Sequence, residues 1–122
     1  MAKYLNPTAV LDGLLDKITA GVTLTVCSTQ PTTRTEAITT YMLASKTITS
    51  GDYTKAAGDV SGRKVTVAQQ AAVAITNSGT AQHVAICDGT NLLAVTTCTS
   101  QALVSGNTVT IPAWKTEVAN PT

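Results

Sequence analysis

The groups in this chain with reach into acid–base, nucleophilic or metal chemistry are one histidine, three cysteines and seven carboxylates. A Ser–His–Asp hydrolase would have to use His83, the only histidine. The chain has no G-x-S-x-G elbow, and His83 falls inside an alternating run rather than at a loop end. A cysteine nucleophile would need the same His83 as its base. Paired-carboxylate chemistry is limited because the two glutamates, Glu36 and Glu117, belong to different elements. No catalytic residue is assigned, and the chain is not expected to be an enzyme.

His83, Cys87 and Cys98 invite a zinc reading, since zinc takes closely spaced N and S ligands. If Cys87 opposes Leu92 in a hairpin, Cys98 is near His83 diagonally, while Cys87 lies further along the strand. No second histidine exists to complete a set. Ordinary strand residues account for all three, so no metal and no cofactor is expected. Gly-x-Gly-x-x-Gly and Walker-type spacings are also missing, so phosphate cradling is not indicated.

Cys27, Cys87 and Cys98 are odd in number and lack C-x-x-C spacing. Synthesis in a cytoplasm favours free thiols in small buried positions. A cross-link to a neighbouring chain stays open if the protein later meets oxidising conditions. Asp12 and Asp16, one helical turn apart, read as a solvated face near the favourable end of a helix dipole.

Eight basic and seven acidic residues leave a net charge of +1, and charged residues are only 12% of the 122. That balance supplies neither a basic stripe for nucleic acid nor a polybasic membrane patch. One Trp, three Tyr and no Phe leave few aromatic platforms for bases or sugars. No window approaches the ~20 apolar residues that span a bilayer. No basic-then-apolar leader is read at Met1–Asn6. A low-charge, Thr-rich surface suits burial against other subunits, and equally suits the outer faces of β-strands.

The elements follow from periodicity. Val10, Leu11, Leu14, Leu15 and Ile18 form one helical stripe, so a helix is expected over 7–20, capped by Asn6 and ended by Gly21. Val22 to Cys27 alternates as a half-buried strand, with Val22, Leu24 and Val26 on one face and Thr23, Thr25 and Cys27 on the other. Thr33-x-x-Glu36 matches a capping box, which points to a second helix from Arg34 to about Ser45. A brief strand covers 46–50. Gly51 to Gly62 has no period and reads as a long surface loop. Arg63 and Lys64 close it, either solvated or paired across an interface.

Strands then follow at 64–69, 71–76, 81–87, 92–99 and 107–111. In the 81–87/92–99 hairpin, Val84 and Ile86 are expected to share a face with Leu93 and Val95. His83, Ala85, Cys87, Ala94, Thr96 and Cys98 would line the other. Pro112 ends the last strand, and Trp114 anchors the C-terminal edge onto the core or serves an interface. The fold expected is mainly β, one domain over 1–122. It is a small antiparallel β-sandwich of about seven strands with one or two short helices at its N-terminal end.

Three segments carry a resemblance: G-R-K-V-T-V (62–67), H-V-A-I-C-D-G-T-N-L-L-A (83–94) and S-G-N-T-V-T-I-P-A-W-K (105–115). In these, and in its opening helix followed by a strand, the chain resembles small bacteriophage virion structural proteins. It departs from them at its three cysteines. The resemblance implies a virion component made in the host cytoplasm, and a capsid decoration (cement) protein is the reading adopted. A neck, collar or tail component is the alternative, and a receptor- or glycan-binding fibre module a third. Implied partners are the major capsid protein or other virion proteins and copies of the chain itself, with no nucleic acid and no membrane. The expected contact elements are 2–6, 51–62 and 114–122, with Tyr4, Asn6, Asp52, Tyr53, Lys55, Arg63 and Trp114 as interface residues.

Overall fold

A computed structural model describes residues 11–59 and 62–118. Tyr4, the Asn6 cap, the first turn of the expected helix and the tail beyond 118 lie outside the described residues. Helix α1 (Asp12–Thr19) keeps its apolar stripe: Leu11 and Leu15 are fully buried, and Ile18 packs on the main core. It ends as Gly21 N–H donates to the Ile18 carbonyl at 2.9 Å. No described helix is long and apolar enough to cross a membrane.

The fold is mainly β, with nine strands: β1 (Thr23–Cys27), β2 (Met42–Thr47), β3 (Tyr53–Ala57), β4 (Arg63–Val67), β5 (Gln70–Ala74), β6 (Gly79–Cys87), β7 (Leu92–Leu103), β8 (Thr108–Ile111) and β9 (Trp114–Val118). They form three antiparallel sheets in the orders β2-β1-β6-β7, β3-β4-β9 and β5-β8. Leu24, Val26, Leu43, Val84 and Ile86 of the large sheet meet Val67 of the second and Val73 and Ile111 of the third in one core. The arrangement is sandwich-like, with the two smaller sheets facing the larger.

Two strands exceed the sequence-based expectation. The segment 51–62, read as a loop, contains β3, which pairs with β4 from Tyr53↔Val67 to Ala57↔Arg63. Its side chains alternate poorly because it is an edge strand held by main-chain bonds rather than by burial. Strand 107–111 is not the last: beyond Pro112 the chain resumes as β9 and pairs with β4.

The second helix is shorter than expected. It is one wide turn, Glu36–Thr40, closed by Tyr41 N–H donating to the Glu36 carbonyl five residues back at 2.9 Å. Half of the capping box forms, with Glu36 N–H donating to Thr33 Oγ1 at 3.2 Å. The Glu36 carboxylate instead accepts from the backbone and hydroxyl of Thr32, both at 2.8 Å. From Met42 the chain extends as β2, because Leu43 and Ala44 gain burial and a ladder partner in β1.

That turn changes β1. It covers the outer face of the large sheet, where Ala37 packs with Cys27, Ala85 and Cys87, flanked by Ile38, Tyr41, Leu92 and Val95. Thr25 and Cys27, on the opposite face from Leu24 and Val26, are fully buried as well, while Val22 lies before the strand and is 47% exposed.

The hairpin opens at Cys87↔Leu92 as the spacing implies, but a bulge follows. Ile86 opposes Ala94, Ala85 opposes Val95, and Val84 opposes Thr96. The extra residue keeps Leu93 on the main-core side and sends Val95 to the other face. Cys98 consequently packs on the main core, away from the second cluster that holds Cys87. The turn is closed by the Asp88 carboxylate, which accepts from Thr90 N–H at 2.7 Å and Asn91 N–H at 2.6 Å.

Gly21 sits at a very tight approach. A Cβ there would lie 2.3 Å from Ile86 Cγ2 and 3.1 Å from the Tyr53 hydroxyl, whereas one at Gly13 would meet nothing within 4 Å. Gly21→Ala is expected to lower unfolding free energy by about 1–3 kcal/mol through overpacking. Gly13→Ala is expected to raise it by roughly 0.5–1 kcal/mol through helix propensity. Urea unfolding of the two variants checks the pair; equal effects would contradict this packing.

Candidate functional site

Among the expected interface residues that are described, Asp52, Tyr53 and Arg63 are half-buried with their polar groups engaged, while Lys55 is exposed. Tyr53 donates its hydroxyl to the Gly21 carbonyl at 2.9 Å, and burial, with a smaller push from Asp52, raises its pKa to about 12. Asp52 accepts from Thr49 N–H at 2.8 Å and from the side chain of the buried Gln70 at 3.2 Å. Those bonds, Thr49's first, hold its carboxyl below its ordinary pKa. Both residues serve to seat the Ser50–Asp52 turn and β3.

The basic residues behave alike. Arg63 grips Asp12 with two bonds, Nε to Oδ1 at 2.8 Å and Nη2 to Oδ2 at 3.3 Å. Lys55 pairs with Asp16. Asp12 is thus docked on the β3–β4 hairpin, off the solvated face expected from sequence, whereas Asp16 keeps 58% of its side chain exposed. Asp59 takes Lys64 at 2.6 Å and also Lys115, and Lys17 reaches Asp88 at 3.8 Å. Arg34 Nε donates to the Asp88 carbonyl at 2.8 Å. Charges in this domain mostly join its own elements.

The chemistry-bearing residues are not assembled. Among the described residues no group of three or more His, Cys, Asp or Glu could hold a metal ion. His83 is half-buried in mid-strand between Cys27 of β1 and Thr97 of β7, and its Nδ1 makes no hydrogen bond among the described residues. All three thiols are free. Cys27 contacts the Ala37 carbonyl at 3.5 Å and the Thr25 hydroxyl at 3.6 Å. Burial pushes all three thiol pKa values up, so none is poised as a thiolate. Of the residues considered for an inter-chain bridge, Cys27 and Cys87 are fully buried, and Cys98 alone keeps some exposed surface.

An open groove lies beside Cys98. With a volume of ≈ 510 Å³, it runs between Thr96–Thr99 of β7 and Ile111–Trp114 at the β8–β9 junction, with Val84 also in its wall. A smaller hollow of ≈ 140 Å³ shares Val84, Cys98, Thr99, Ile111 and Pro112. Trp114 packs partly on the core, and its indole N–H makes no hydrogen bond among the described residues. The lining is hydroxyl, aliphatic and indole, without a charged group. A lining of this kind offers shape and main-chain groups for contact.

β7 is also the free edge of the four-stranded sheet. Its side chains resemble those of an internal strand, so residue spacing alone does not mark it as an edge. One signal was available: no Asp, Glu, Lys, Arg or His occurs between Asp88 and Lys115. In comparisons with known proteins, no family model matches the chain, and neither does any curated protein or solved structure.

Two outcomes follow. A thiol reagent should modify Cys98 first in the folded protein, with Cys27 and Cys87 reacting only at the unfolding rate; mass spectrometry of partly labelled protein reads the order. Asp12 has its pKa lowered chiefly by the Arg63 hydrogen bond. A carboxylate with a depressed folded pKa contributes stability above its unfolded pKa and loses it as pH falls through the folded one. Asp12→Asn should therefore destabilise the protein at neutral pH and shrink the stability lost on acidification. Unfolding curves at neutral and strongly acidic pH check this.

Proposed function

We propose that this chain is a structural protein of a bacteriophage particle, a decoration protein that cements the assembled capsid shell. The observation that carries the proposal is the uncharged open edge and groove of β7, in a domain whose charges largely pair internally. A surface of that kind suits neutral, close-packed contact with other subunits. The likeness of segments 62–67, 83–94 and 105–115 to phage virion proteins supports the same reading.

Mechanistically such a protein works by mass action. Binding only the assembled lattice stabilises that lattice, by about 2.7 kcal/mol per site at a free concentration 100-fold above Kd. The major capsid protein and copies of the chain are the partners, and the assembled virion is the location.

The test is quantitative protein composition of purified particles, with and without reductant. Decoration requires copy numbers on the order of hundreds, whereas a neck or tail ring gives about six to a few dozen. Particles lacking the protein altogether would refute a virion role. Retention on glycans without co-purification would favour a fibre module.

A further inference from the structure

We propose that the β7 edge is a self-association surface, through which two copies pair antiparallel along Leu92–Thr97 and extend the four-stranded sheet across a twofold axis. The edges of this molecule are treated unequally. Beside β2, the Leu43 carbonyl accepts from Thr76 N–H at 2.8 Å and Asn77 N–H at 3.0 Å, and Ala44 bridges Ile75. β3 carries Lys55, and β9 carries Lys115 and Glu117. Covering and charging are the ordinary means by which strand edges are kept from pairing with other chains.

β7 has neither protection, and it offers far more length than β8, an edge that is also uncharged but only 4 residues long. It is the longest strand, at 12 residues, and contains no charge, proline or glycine. Among the described residues, no segment outside its own sheet bonds to the backbone of Leu92–Thr97. Beyond Thr97 the strand kinks, since His83 opposes Thr97 while Ala81 opposes Gln101. The kink limits regular pairing to the straight arm Leu92–Thr97.

The occupant that fits is a second copy of the same arm. An uncharged edge matches an uncharged edge without like-charge repulsion, and antiparallel pairing about a twofold is self-complementary. A twofold normal to an antiparallel ladder must pass between a residue and its own copy, here Ala94 or Val95. Either centre sets Leu and Thr side chains opposite each other, partners favourable on a pleated surface. One strand pair buries less than a standard interface, so association is expected at micromolar concentration. The inference uses the same β7 edge as the particle role, but it is read on the pure protein in solution, so either can fail without the other.

Sedimentation equilibrium of the full chain under reducing conditions should show a monomer–dimer equilibrium. Hydrogen exchange should show concentration-dependent protection of the Leu92–Thr97 amides. Thr97 is exposed, and Thr97→Lys places on the arm a charge of the kind that the β3 and β9 edges carry. It should raise the dimer Kd by roughly tenfold while preserving the circular dichroism of the monomer. A chain monomeric at all concentrations would overturn the proposal. So would a dimer whose protection falls elsewhere, or one that a folded Thr97→Lys leaves unchanged. If that variant fails to fold, the exchange map of the unsubstituted chain decides.

Discussion

The middle of the large sheet must be dry on both faces, and much of the molecule is arranged to satisfy that. β1 and β6 present Leu24, Val26, Val84 and Ile86 to the main core, and Cys27, Ala85 and Cys87 to the opposite side. One face is sealed by the two smaller sheets. The other is sealed by the single turn Glu36–Thr40, which approaches closely because Ala37, Ala85 and the cysteines are small. Burying a side chain the size of Val, Leu or Ile is worth about 1.5–3 kcal/mol. Net domain stability is only about 5–15 kcal/mol. The apolar layers therefore set the fold, and the cysteines belong to them as packing groups.

Polar contacts have a different task, which is orientation. Tyr53 to Gly21, Arg63 to Asp12 and Lys55 to Asp16 join the β3–β4 hairpin to α1 or the residues just after it, and Gln70 to Asp52 joins β5 to the turn before β3. They fix how the second sheet sits on the helix. A consequence for function is that charges which looked available to a partner are already committed within the chain. What is left outward along β7 is neutral: main-chain edge, threonine hydroxyls and a shallow groove.

That contrast links fold to the assembly role proposed above. An edge without charge is a liability in a protein that stays alone and an asset in one that packs against neighbours. The kink in β7 bounds the exposed arm, so an open edge need not mean unlimited stacking. The three thiols, by contrast, sit where burial raises their pKa values, and two of them are sealed inside.

Strong local periodicity was readable from sequence. The apolar stripe of α1, the alternation of Leu24 and Val26, the Cys87↔Leu92 turn and the mainly β character all follow from residue spacing. Glycine and proline at the element ends mark boundaries for the same local reason. What sequence left hidden depended on partners distant along the chain. β3 and β9 exist because β4 lies between them, and their own side chains carry little pattern. The Leu93 bulge moves Val95 to the opposite face, and no local preference announces it. Thr25 and Cys27 are buried only because residues 36–40 fold over them. Local sterics and periodicity thus determined which segments extend or coil. Tertiary packing alone decided which faces are dry, which charges are paired and which strand edge stays open, because those depend on what arrives from elsewhere in the chain.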